Sequence, residues 1–249
     1  MPQAATCAAD HIDERAVVAS VYDGDTLRLQ DRRSVRLIGV NASEIAQWGK
    51  KSSPEPHAIE ARDALRKLLP VGGVVALRFD EDAHDHYGRL LAHVYTASGE
   101  SVQARLLEDG HVFRIMVPPN NWNLDCYGRA EERARARNRG VWAMSEYRPV
   151  EARSLAPDAG GFHLIRGTVR KVNQRASGVW LDLDNDISLR INKADLDSFK
   201  GVSLARLQGR EIVARGWLIA RKGQHAGRMM LLRHPGALES RFADAPADH

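Results

Sequence analysis

The sequence predicts a mainly β chain with some helix (α+β): a five-stranded barrel carrying three helices, followed by a second, smaller barrel of the same kind. Three observations lead there. Short runs of alternating apolar and polar residues recur through both halves, the pattern of strands with one buried face. Segments of helical period interrupt the first series of strands. After a stretch rich in turn-forming residues, Tyr147-Arg148-Pro149 through Gly161, the strand pattern restarts. The expected organisation is residues 1–146, a linker at 147–161, a second domain at 162–238 and a flexible tail at 239–249.

Val17 to Leu29 reads as a strand with a bulge or kink at Asp23-Gly24. Val35 to Val40 follows the polar turn Asp31-Arg32-Arg33. Val21, Asp25, Leu27 and Leu29 share one parity, so Asp25 can meet the Arg36–Asn41 end of the neighbouring strand. Gln47 to Pro56 is a polar loop. The helix expected from about His57 to Leu69 repeats Ala58, Ala61, Leu65, Leu68 and Leu69 at helical spacing. Val74–Phe79 and Leu90–Tyr95 are strands around a polar turn, and a short helix at Val102–Glu108 stops at Gly110. A charged helix from Tyr127 to Arg139 is closed by Gly140, with Val141-Trp142 packing behind it. The reading is of five strands with a helix between the third and fourth, the order of the OB-type Greek-key barrel. The second half repeats that order: Phe162–Val172, Gly178–Leu183, Ile187–Ile191, a short helix Lys193–Phe199, Arg210–Ala220 and Met229–Leu232.

Composition is that of an ordinary globular protein, 43% hydrophobic and 27% charged. No apolar segment approaches the roughly 20 residues that span a bilayer, so no membrane role is expected, and no protein partner is evident. The net charge of +4 is unevenly spread. Residues 1–148 carry 20 Lys/Arg against 21 Asp/Glu, and residues 149–249 carry 16 against 11. A basic second half suits a polyanion, or is simply a solvated basic surface. The N-terminus shows no basic region followed by an apolar run, so no signal peptide is expected in this chain. Met1 to Thr6 equally fits a start codon placed on a processed, exported protein. On residues alone, Cys7 and Cys126 stay open between free thiols and a bridge.

The chemistry concentrates between Tyr22 and Glu44. Carboxylate and amide oxygens beside a guanidinium suit a divalent cation and a phosphate. Attack on a phosphodiester builds a second negative charge on the five-coordinate transition state. Catalysis therefore asks for cationic groups at the equatorial oxygens, a metal to polarise them, and a carboxylate to orient or deprotonate water. Each residue also has a plain structural reading. Asp25 could satisfy turn amides, Arg36 could be a surface strand residue, Glu44 an exposed loop charge, and Arg89 a partner for Asp85.

Asp23-Gly24-Asp25-Thr26, then Arg36-Leu37-Ile38-Gly39-Val40 with Glu44, then Asp85-His86-Tyr87-Gly88-Arg89 resemble the staphylococcal (micrococcal) nuclease family in type, order and spacing. Pro119-Asn120-Asn121 and Gly140-Val141-Trp142 extend the likeness over roughly residues 15–143. The resemblance implies Asp25 as a calcium ligand, Arg36 as the phosphate-bridging group, and Glu44 as water-positioning group or general base. Arg89 would bind the phosphate and assist the leaving oxygen, and Asp23 would stand just behind the metal. It also implies Ca²⁺-dependent, sequence-tolerant hydrolysis of DNA and/or RNA, single strands favoured, leaving 3′-phosphate ends. Lys50, Lys51 and Tyr87 would contact substrate. Such nucleases are commonly exported, so a secreted or periplasmic location is expected, with the cytoplasm left open. A Cys7–Cys126 bridge becomes an expectation, closing a long loop worth roughly 4–5 kcal/mol by chain entropy.

Two departures matter. The family's second metal-binding aspartate is Asn41 here, followed by Ala42 and Ser43 where threonine and proline are usual. Asn41 still offers one oxygen and Ala42 its backbone carbonyl, but one negative charge is lost. Weaker Ca²⁺ binding, or another divalent cation, follows. Ile115 and Val117 stand where the family places two tyrosines near the nucleotide, so the base is gripped differently. His84, His86 and His93 fit no zinc spacing and read as ordinary histidines. In the second half Trp180, Phe199 and Trp217 are possible stacking residues, with Trp180 and Phe199 read first as core. Arg166, Arg170, Lys171, Arg190, Arg215 and Arg221 supply charge around them. The competing reading is a nucleic-acid-binding module of the same fold that has weakened or lost catalysis.

Overall fold

A computed structural model describes residues 7–45, 53–156, 158–221 and 227–239, grouped into two units that divide between Glu146 and Tyr147. In the first unit, β1 (Glu14–Val21) and β2 (Thr26–Leu29) are separate strands and not one kinked strand. The reason is local. Tyr22 N–H donates to the Thr26 carbonyl at 2.9 Å, and the Asp23 carboxylate accepts from Asp25 N–H at 3.0 Å, so Tyr22–Asp25 is a hydrogen-bonded turn. The other elements are β3 (Ser34–Leu37), β4 (Val40–Asn41), α1 (Ala58–Leu68), β5 (Val74–Arg78), β6 (Leu90–Tyr95), α2 (Val102–Glu108), β7 (Phe113–Arg114) and α3 (Leu124–Ala136).

Strands β1-β2-β3-β6-β5 close into a barrel, with α1 between its third and fourth strands in chain order, as the patterning predicts. Inward residues such as Val18, Leu27, Val35, Leu37, Leu77 and Val94 are fully or almost fully buried. They form one core with Ala61 and Leu65 of α1, Leu106 and Leu107 of α2, and Tyr127 of α3. Removing a side chain such as Leu65 from such a core costs about 2–5 kcal/mol. Helix α3 starts three residues before its predicted start at Tyr127, because Leu124 belongs to the same buried face as Tyr127, Ala130 and Ala134. Gly39 sits at φ +81°, and a Cβ there would meet the Tyr127 ring at 2.9 Å, so glycine lets α3 close over the rim. Cys7 and Cys126 form a disulfide with Cα atoms 5.7 Å apart. The Cys7 carbonyl accepts from Tyr95 Oη at 3.2 Å and from Asn123 Nδ2 at 3.1 Å.

The second unit has its own core. Its elements are β8 (Val150–Glu151), β9 (Gly161–Thr168), β10 (Lys171–Arg175), β11 (Gly178–Asp182), β12 (Ile187–Asn192), β13 (Glu211–Arg221), β14 (Gly227–Leu231) and β15 (Leu238–Glu239). The 147–161 stretch read as a linker contains β8, which pairs with β9, and buries Ala152 and Leu155 in this core. The strand read as Phe162–Val172 breaks at Val169-Arg170. Its two parts, β9 and β10, lie toward opposite ends of the order β10-β11-β12-β14-β13-β9-β8. With β15 paired to β13, these eight strands form one sheet whose order runs from β10 to β8 without closing, unlike the barrel of the first unit. Phe199 is core, 3% exposed. Residues 240–249 of the predicted tail lie outside the described residues. No helix among the described residues is long and apolar enough to cross a membrane.

Candidate active site

The β2–β3 hairpin builds the site. Thr26 pairs with Arg36, and Leu37 N–H donates to the Asp25 carbonyl at 2.9 Å, so register alone brings Asp25 beside Arg36. Asp25 is 5% exposed. Its Oδ1 accepts from the Thr26 hydroxyl at 3.0 Å, and its Oδ2 accepts from Ala42 N–H at 2.6 Å and lies 3.0 Å from Arg36 Nη1. Arg36 Nη1 donates to the Val40 and Leu37 carbonyls at 2.9 and 3.2 Å, and Nη2 to Asn41 Oδ1 at 3.3 Å. The guanidinium is thereby held flat against the β3–β4 turn, a positioning a single exposed strand arginine would lack.

Gly24 makes this approach possible. A Cβ there would lie 2.6 Å from Ala61 Cβ and 2.7 Å from Ala42 Cβ, so the Asp23–Asp25 turn is pressed between α1 and the Ala42 strand end. Burial, and then the charge of Asp25, push the Asp23 carboxyl up to about 7.

Glu44 is exposed at the rim. Partial desolvation of its carboxyl, followed by the charges of Asp25 and Glu55, raises its pKa, while Arg36 and Arg89 pull it back. Glu44 is therefore within electrostatic reach of Asp25 and of both arginines. Its backbone is clasped to Glu55: Glu44 N–H donates to Glu55 Oε2 and Glu55 N–H to the Glu44 carbonyl, each at 2.9 Å. Glu55 gave no signal in the sequence, since it sits in a polar loop among prolines and serines.

Arg89 is the partner of Asp85, as its plain structural reading had it. Its Nε donates to Asp85 Oδ2 at 2.7 Å and its backbone N–H to Oδ1 at 2.9 Å. This anchors the side chain through Nε. Its guanidinium carbon lies 5.5 Å from the centre of the Tyr87 ring, which is 74% exposed and in contact with His86. Lys50 and Lys51 lie outside the described residues. Val117 is 43% exposed and Ile115 half-buried, so no aromatic ring occupies those two positions. His93 is fully buried, with Nδ1 2.8 Å from Tyr127 Oη and Nε2 3.5 Å from Asp80.

The donor set fits a hard divalent cation in kind. The Asp25 carboxylate, the Asn41 amide oxygen and the Ala42 carbonyl are oxygen donors of the kind such a cation takes, and the first two meet the same Arg36 guanidinium. They carry one formal negative charge, with Asp23 directly behind Asp25.

Fold and rim together define a closed five-stranded barrel that carries a site of arginines and carboxylates. Residues 34–144 match the family described as staphylococcal nuclease homologue. The chain is 31% identical over 134 residues to a thermonuclease of Staphylococcus intermedius, covering 52% of this chain and 76% of that protein. It is 32% identical over 131 residues to the endonuclease YncB of Bacillus subtilis, covering 50% and 60%, and 28% identical over 135 residues to the endonuclease YhcR of the same organism, covering 51% and 11%. The chain thus spans less than two thirds of the length of either Bacillus relative. It belongs to the staphylococcal nuclease family.

Proposed function

We propose that this chain hydrolyses phosphodiester bonds in DNA and/or RNA, single strands favoured, with little sequence preference and with Ca²⁺ or a similar divalent cation bound. The observation that carries it is the buried contact of Asp25 with Arg36 and with the N–H of Ala42, two residues before Glu44, while the pairing of Arg36 with Leu91 brings Arg89, two residues earlier, to the adjoining strand end. Asp25, Asn41 and the Ala42 carbonyl would hold the cation, which supplies polarisation of a phosphoryl oxygen and partial neutralisation of its charge. Arg36, fixed by the Leu37 and Val40 carbonyls, donates to a non-bridging oxygen and stabilises the charge that grows there. Glu44 orients a water and takes its proton as the new O–P bond forms; its raised pKa makes it a better base than a free carboxylate. The P–O5′ bond breaks with its electron pair on the leaving oxygen. Arg89 faces that charge until solvent protonates it, and a 3′-phosphate end remains.

The thermonuclease and endonuclease relatives support this reading. The Cys7–Cys126 bridge supports a secreted or periplasmic working place, where disulfides persist. Asn41 favours a second reading, a module of the same fold that grips nucleic acid without cutting it. One assay separates them: single-stranded DNA with Ca²⁺ or with chelator, beside Glu44→Ala. Cleavage that chelator stops and the substitution abolishes supports hydrolysis, whereas binding without cleavage supports the module.

A further inference from the structure

The second unit carries 16 Lys/Arg against 11 Asp/Glu from residue 149 onward, but its ion pairs divide those cations sharply. Arg166 pairs with Glu151 at 3.5 Å, Arg170 with Asp184 at 2.7 Å, and Arg215 with Glu239. Arg175, Arg190 and Arg221 have no carboxylate partner among the described residues. All three instead surround one ring: their guanidinium carbons lie 5.7, 5.0 and 5.5 Å from the centre of Trp180. Arg190 Nε, Arg221 Nε and Trp180 Nε1 are buried and make no hydrogen bond among the described residues. Unpaired cations and unspent N–H donors gathered on an aromatic plane are costly for the fold alone.

Sheet register extends the cluster into a row. Trp180 lies opposite Arg190, and Arg190 opposite Leu231. The pairing of Leu218 with Met230 sets Trp217 beside Leu231, and Trp217 lies opposite Phe162, edge to face at 5.3 Å. Directly opposed residues share a face, and Leu231 and Trp217 are 37% and 43% exposed. Trp180 to Trp217 therefore spans three strand spacings, about 14 Å. A cleft of about 260 Å³ opens beside Trp180 between Arg175 and Arg221. Asp182 and Asp186 also line it, and Asp182 accepts from Asn173 and Ser188 at 2.6 and 2.7 Å.

We infer that this row is a second nucleic-acid site, taking a single-stranded segment whose bases stack on Trp180 and Trp217 while Arg190, Arg221 and Arg175 meet its phosphates. Flat rings interleaved with unpaired guanidiniums on one sheet face suit that ligand better than a duplex, whose bases offer no free face. The site shares its ligand class with the proposed hydrolysis but none of its residues.

The test uses the full chain carrying Glu44→Gln, in chelator, with a fluorescein-labelled oligothymidylate read by anisotropy across a salt series. Arg190→Gln with Arg221→Gln is expected to weaken binding about tenfold or more. It should also flatten the log–log salt slope by about 1.4, two phosphate contacts at roughly 0.7 each. Trp180→Leu is expected to lose about five- to 150-fold, the value of one stacked base. Variants that keep the parental circular dichroism and bind with the parental Kd and slope overturn the site. So does a loss confined to the arginine variant with none in Trp180→Leu or Trp217→Leu, which marks a plain polyanion surface. Binding is read without cleavage, so a wild-type chain unable to cleave would refute the hydrolysis and leave this result standing.

Discussion

Asn41→Asp restores a second carboxylate at the site and should tighten its cation. Asn41 is 6% exposed, and its Oδ1 stands 3.3 Å from Arg36 Nη2. A unit charge placed about 4 Å from another is worth about 4 kcal/mol at an effective dielectric of 20. A divalent ion at ligand distance gains at least that from the new carboxylate. The ion-free protein already recovers part of it, because the aspartate pairs with Arg36, and repulsion from Asp25 and Glu44 changes the balance in both states. The surplus left for the cation is on the order of 1–3 kcal/mol, about five- to 150-fold in its Kd. Calcium titrations of cleavage rate, with calorimetric titration of the same two proteins, read it directly. Midpoints that coincide for wild type and variant would refute the reasoning, since position 41 would then have no hand in holding the ion.

Gly24→Ala drives a methyl to within 2.6–2.7 Å of Ala61 and Ala42, so overpacking should cost about 1–3 kcal/mol in urea unfolding and lower activity more than stability alone explains. Cys7→Ser with Cys126→Ser opens a loop of sequence separation 119, and should cost roughly 4–5 kcal/mol by chain entropy, read as a lowered urea midpoint. His57 and His111 touch at 3.0 Å, and burial lowers the pKa of both. Below about pH 6.5 the unfolded chain takes up protons that the folded pair refuses, so their stability contribution is full above that pH and lost as pH falls through the depressed folded values. His111→Gln should flatten the fall in stability between about pH 7 and 5, and an unchanged pH slope would rule the pair out as its source.

What could be seen in advance follows from how local each cause is. The Asp25–Arg36 meeting was legible because two alternating strands and a polar turn fix a register, and register fixes neighbours. The Asp85–Arg89 contact was legible for the same reason, lying within one turn. The Tyr22–Asp25 turn was misread as a kink because alternation on either side continues through it; the Tyr22–Thr26 and Asp23–Asp25 hydrogen bonds reveal the reversal. Leu124 was missed because its neighbours are polar and its burial depends on a partner surface formed by distant chain. The Glu44–Glu55 contact and the selection of Arg190 and Arg221 over Arg166, Arg170 and Arg215 depend on long-range pairing, which residue type cannot carry.

The reciprocal clasp between Glu44 and Glu55 separates two demands that usually conflict. A group that must point at one atom needs rigid footing, whereas a surface that adapts to different polymers needs freedom to vary in length and composition. Tying position 44 to position 55 by two main-chain donors lets the ten intervening positions be lengthened, shortened or recoloured without moving the footing of Glu44. Relatives could therefore diverge in what they grasp while keeping how they cut.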